Sequence, residues 1–159
     1  MLRFLILAIL LDFSTCNSDF FSAIKELRSE IKGHVFYRGS PDYEWARPVH
    51  NGGCRNIFPL MIVKPLQTED VAAIVKFAVK RGLEISVRSG GHSYQCLGTK
   101  TDSIHIDLRA LNAVQFYKYD NVVKIGAGAT WGNVLDVVDQ KKYTLIHGNV
   151  SSSQIHIGI

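Results

Sequence analysis

The chain has 159 residues, 47% of them hydrophobic and 20% charged, with a formal net charge of +4 at pH 7. That is enough apolar material for one ordinary globular core. Its basic residues are scattered rather than clustered, which argues against a nucleic-acid partner, and no CxxC pair or His/Cys cluster with metal spacing is present, so no metal site is expected.

Residues 1–18 read as a secretory signal. Arg3 supplies a positive start, Phe4 to Leu11 an apolar run, and Ser14, Thr15 and Cys16 small residues suited to cleavage. The run is too short for a permanent membrane span. The mature chain is therefore expected to be secreted, with no membrane association after signal removal. It retains Cys54 and Cys96. An oxidising compartment permits a disulfide between them, but sequence alone leaves Cys96 paired, packed or free.

Residues 19–55 form an N-terminal helix and loop. From Asp19 to Lys32 the spacing predicts an amphipathic helix with Phe20, Phe21, Ile24, Leu27 and Ile31 on one face, stopped by Gly33. Phe36 to Asn56 reads as loop, punctuated by Gly39, Pro41, Pro48, Gly52 and Gly53; its Tyr37, Tyr43 and Trp45 are expected to cover a core edge.

A regular alternation starts in the third segment, residues 56–159. Leu60 to Val63 is a strand ended by Pro65. Thr68 is placed to cap a helix in which Glu69 and Asp70 complement the dipole, and Val71, Ile74, Val75, Ala78 and Val79 make the buried stripe. Gly82 closes it. Leu83 to Val87 and Ile104 to Leu108 are further strands, which implies a parallel β–α–β crossover. Ala113 to Tyr119 and Val122 to Ile125 read as a hairpin turning at Asp120-Asn121. Gly126-Ala127-Gly128-Ala129 is a glycine-rich loop before a helix capped by Thr130 and running from Trp131 to about Gln140. Thr144 to Ile146 is a last short strand.

The stretch with the most chemistry is Arg88-Ser89-Gly90-Gly91-His92-Ser93-Tyr94, directly after a strand. Adjacent glycines flanked by hydroxyls let backbone amides close on a phosphate, with an arginine before them and an imidazole after. A plain inter-strand turn is the alternative for such a loop. The stretch resembles the flavin-attachment loop of FAD-linked oxidases of the berberine-bridge-enzyme-like group, within the vanillyl-alcohol-oxidase/p-cresol-methylhydroxylase (PCMH) superfamily. The resemblance extends through Ile62-Val63-Lys64-Pro65, Glu69-Asp70-Val71, Ile106-Asp107-Leu108 and Ala127-Gly128-Ala129-Thr130-Trp131-Gly132.

This resemblance implies an α+β fold, a PCMH-type FAD-binding domain with a parallel β–α–β subdomain beside an incomplete antiparallel one. It implies FAD bound by Arg88, Ser89, Gly90, Gly91, His92, Ser93, Gly126, Ala127, Gly128, Thr130 and Gly148, with His92 joined to the flavin 8α carbon. Where doubly attached relatives have a cysteine, this chain has Val150, so no second covalent bond is expected. The glycine-rich run expected after it is replaced by Ile155-His156-Ile157-Gly158-Ile159. Asn149-Val150-Ser151 is formally a glycosylation sequon, expected to be unused beside a flavin cleft. The implied activity is oxidation of an alcohol, sugar or alkaloid-like small molecule with oxygen as acceptor. The expected domain is C-terminally incomplete, without the substrate domain or an assignable catalytic base; Tyr94 and His147 are weak candidates. A non-catalytic secreted binding module on the same fold is the alternative.

Overall fold

The computed structural model describes residues 18–153. The signal segment, apart from Ser18, and the final residues 154–159 lie outside the described residues.

Helix α1 (residues 18–30) buries Ala23, Ile24 and Leu27, and Ile31 continues the same face just past its end. Phe21 is half exposed and sits edge-on to Tyr37, with ring centroids 5.6 Å apart, so the buried stripe runs through Ala23 instead. Gly33 does more than end the helix: a Cβ there would lie 2.3 Å from the Lys64 carbonyl oxygen, so the backbones meet where no side chain fits.

The chain then forms strand β1 (His34–Tyr37), part of which the sequence placed in a loop. Four residues are too few to display a period of two, and the strand exists because β2 (Met61–Lys64) pairs with it antiparallel. Between them lie the short helix α2 (Tyr43–Ala46) and a 3₁₀ turn at Gly52–Asn56. Tyr43 is buried and its hydroxyl donates to the Pro59 carbonyl at 2.6 Å, whereas Trp45 is 87% exposed.

Helix α3 (Thr68–Arg81) has Gln67 at its N-cap, so Thr68 is the first helical residue and not the cap. Its buried side chains are Asp70, Ile74, Phe77 and Ala78. Val75 and Val79, expected inward, are 40% and 76% exposed, because the stripe facing the sheet is narrow and Phe77 fills it. Asp70 is buried as an anchor: its carboxylate accepts from the Lys32 and Leu66 amides at 3.1 and 2.9 Å. Gly82 closes the helix in the left-handed region at φ 63°.

Strands β3 (Ile85–Arg88) and β4 (Ile104–Asp107) complete a sheet in the order β1-β2-β4-β3, in which β2, β4 and β3 are parallel. One face is apolar: Met61, Val63, Ile104 and Ile106 pack with Ile24 and Leu27 of α1 and Ile74, Phe77 and Ala78 of α3. On the opposite face Ser86 lies beside His105 and Arg88 beside Asp107, all buried. A second sheet is the hairpin β5 (Val114–Tyr117) and β6 (Val122–Ile125), with Asn121 at φ 51° in its turn. Helix α4 (Trp131–Asp139) follows and buries Val134 and Val138. The strand expected at Thr144–Ile146 does not form; Ile146 is fully exposed and, among the described residues, no strand pairs with this stretch. The architecture is the expected mixed one, a parallel sheet with helices beside a small antiparallel unit. Among the described residues no helix is long and apolar enough to cross a membrane.

Candidate functional site

The site is built at the end of β3. Alternation along that strand sends Ser86 and Arg88 to the polar face, and parallel pairing sets Arg88 against Asp107 of β4. The guanidinium donates to the Asp107 carboxylate at 2.6 Å, and both side chains are almost wholly buried. Arg109 donates to the same carboxylate at 2.8 Å from its partly exposed side chain. Asp107 Oδ1 also accepts the Arg109 backbone amide at 3.2 Å, which caps the 3₁₀ turn Leu108–Ala110. Burial alone would raise the Asp107 pKa, but the bonds from Arg109 and the charge of Arg88 outweigh it and bring it down to about 2. Two guanidiniums against one carboxylate leave the cluster with a surplus positive charge.

Arg88 has a second task. It donates to the Pro48 and Ala46 carbonyls at 2.7 and 2.8 Å, and so pins the segment 46–54 over the loop that follows β3. The His50 amide donates to the Gly91 carbonyl at 3.1 Å, Asn51 Nδ2 donates to the Tyr94 carbonyl at 2.9 Å, and Cys54 is bonded to Cys96. The cysteines, left open by the sequence, are therefore paired. Gly91 has φ 70°, and a Cβ there would lie 3.0 Å from Arg88 Cδ, so the loop needs glycine at this point for both conformation and space. His92 lies against His50, their ring centroids 4.8 Å apart. Val49, His50, Arg88, Gly90, His92, Arg109 and Ser152 share one cavity of about 300 Å³.

Other expected site residues are engaged elsewhere. Ser89 donates its hydroxyl to the Ala127 carbonyl and so joins the two glycine loops. Ser93 accepts the Leu97 amide at 3.1 Å and shapes its own turn. Cβ atoms on Gly126 and Gly128 would each lie 2.1 Å from a backbone oxygen, of Leu111 and Leu108 respectively, so these glycines serve close packing of the chain. Thr130 and Asn133 form a capping box, and the Trp131 and Gly132 amides donate to Ser153 and Ser151 carbonyls at 3.0 and 2.7 Å. The start of α4 thus spends its amides on the protein. A Cβ on Gly148 would lie 2.7 Å from Trp131 Nε1. Tyr94 is 90% exposed. Among the described residues no group of three or more His, Cys, Asp or Glu side chains is arranged to hold a metal.

His50, Arg109 and Ser152 were missed by sequence reasoning. Arg109 had a usable signal, the Asp-Leu-Arg spacing that lets the arginine fold back on the aspartate. His50 had only an indirect one, its closeness to Cys54, whose partner follows His92. His105 was also missed. It is fully buried on β4, with Nδ1 3.0 Å from Ser86 Oγ, and Nε2 has no hydrogen-bond partner among the described residues. Burial first, then the nearby Arg88 charge, lower its pKa to about 4, so it is neutral near pH 7.

The FAD binding domain family matches residues 59–158. The FAD-linked oxidoreductase aurO of Gibberella zeae is 35% identical over 115 residues, 72% of this chain and 22% of that protein. Berberine bridge enzyme-like 18 of Arabidopsis thaliana is 35% identical over 89 residues, 55% of this chain and 17% of the relative. The solved structure of a chitooligosaccharide oxidase superposes with a TM-score of 0.70 at 28% identity, covering 83% of this chain and 28% of the oxidase. The chain thus spans between 17% and 28% of the length of these relatives. The match over residues 59–158, which takes in the glycine-histidine loop at the end of a parallel strand and the start of α4, places the chain in the FAD binding domain family.

Proposed function

We propose that this chain carries FAD, attached through His92 alone, as the cofactor-bearing part of a secreted oxidase that oxidises an alcohol, sugar or alkaloid-like small molecule with dioxygen as acceptor. The observation that carries the reading is the cavity lined by His92, Gly90, Arg88 and Arg109. These residues fit FAD. A diphosphate needs surplus positive charge, which the Arg88–Asp107–Arg109 cluster supplies, and a backbone that lets it approach, which Gly90-Gly91 supplies. The ring end needs a nucleophile beside it, and His92 is that nucleophile. Val150, without a nucleophilic atom, leaves no second attachment. When bound, FAD supplies hydride acceptance; the chain's own residues bind, orient and hold it. The Cys54–Cys96 bond supports the reading of residues 1–18 as a secretory leader, because such bonds persist in oxidising compartments.

The test is the protein expressed with ample riboflavin and denatured in acid. Flavin is expected to stay on the polypeptide, on the peptide that contains His92, and a His92→Ala variant is expected to lose it. A colourless wild-type protein that also fails to take up added FAD overturns the reading in favour of a flavin-free binding module.

A further inference from the structure

We propose that His50 is the positioning residue for His92: it holds the imidazole that takes the flavin. The inference rests on the reading of His92 as the attachment point and extends it to a residue outside the glycine loop.

The two rings are 4.8 Å apart at their centroids, inclined by 49°, on the wall of one cavity. His50 is also tied to the loop by its backbone, since its amide donates to the carbonyl of Gly91, the residue before His92. The same residue therefore fixes the main chain entering His92 and packs against the His92 ring. Its neighbours hold it there. Asn51 Nδ2 reaches the Tyr94 carbonyl, and the Cys54–Cys96 bond closes the far end of the strap. Arg88 closes the near end through Ala46 and Pro48. His92 is thus bracketed on both sides, and His50 is the part of the bracket that meets its imidazole.

The need for such a residue is physical. The direction of a histidine ring is set by two side-chain torsions, which together offer several orientations. Bond formation requires one of them. Overall, one imidazole N–H bond and one methyl C–H bond break, one N–C bond forms, and dioxygen takes both hydrogens with two electrons as hydrogen peroxide. His50 acts before any of these events, by narrowing the orientations of the ring. Its part is to orient the ring, and it takes no proton.

The experiment uses the whole chain, produced without flavin and then mixed with FAD. The rate at which acid-stable flavin appears on the His92 peptide is followed by mass spectrometry, and non-covalent FAD affinity is measured separately by fluorescence quenching. His50→Ala and His50→Leu are expected to slow attachment by about tenfold or more, a larger factor than any loss of non-covalent affinity. His50→Phe keeps an aromatic ring and is expected to restore most of the rate. Attachment at the wild-type rate in both Ala and Leu variants overturns the proposal, and so does a Phe variant as slow as Ala. An affinity loss that matches the rate loss overturns it too, since His50 then only binds. If the wild-type chain binds FAD and never attaches it, the attachment reading itself fails and takes this one with it. A wild type that attaches beside a His50→Ala that does so equally fast sinks the role of His50 alone.

Discussion

At the scale of single residues, Asp107 is the most heavily used side chain. It caps the turn that follows β4 through the Arg109 amide. Its larger role was not legible, because its partner Arg88 stands nineteen residues away and is brought in only by strand pairing. Asp107→Asn leaves a buried guanidinium without its counter-charge and is expected to lower stability by about 3–5 kcal/mol in urea titration. His105 sits two residues earlier on the same strand and gives the fold an acid limit. Its folded pKa, about 4, is below the ordinary 6.5, so the unfolded chain takes up a proton that the folded chain refuses. The stability tied to His105 is whole above pH 6.5 and drains away as pH falls towards 4, by roughly 3 kcal/mol in total. Asp107 has a depressed value too, and its share is lost lower down, between about pH 4 and 2. A His105→Gln variant is therefore expected to flatten the stability curve between pH 6.5 and 4 and leave the lower slope in place, as read by denaturant melts across pH. Neither shift is visible in the sequence, where His105 looks like any polar residue in a short strand.

At the scale of elements, the glycines separate into kinds that sequence cannot distinguish. Gly82 has left-handed φ and open space around it, so Gly82→Ala is expected to cost only about 1 kcal/mol. A Cβ on Gly128 would lie 2.1 Å from the Leu108 carbonyl oxygen, and Gly128→Ala is expected to cost about 3 kcal/mol or more. Thermal melting of the pair decides whether the second glycine loop is chiefly a packing device. Helices and long-period elements were readable: α3, α4 and the hairpin lie close to where the residue pattern puts them. The failures share one cause. Strand β1, the exposed Val75 and Val79, and the unformed strand at Thr144–Ile146 were all decided by what lies alongside, which a local pattern does not contain.

At the scale of the molecule, the glycine-histidine loop was legible as a turn after a strand, and the strap that crosses it was not. The family match starts at residue 59, so the segment 46–54 lies before it, and no motif announces that it crosses back over Gly91 to Cys96. The disulfide closes a separation of 42 residues. Loop-closure entropy puts the contribution of such a link at about 4 kcal/mol. A Cys54→Ser/Cys96→Ser double variant is expected to lose stability on that order and to exchange amide hydrogens faster across residues 90–96, measured by mass spectrometry. A final consequence belongs to β4, whose residues send isoleucines to one side and an imidazole and a carboxylate to the other. Threading that strand one position out of step would push ionisable groups into hydrocarbon and strand Arg88 without an anion. A misaligned sheet has no comfortable resting state, so the same residues that furnish the site with charge also proofread the assembly of the sheet.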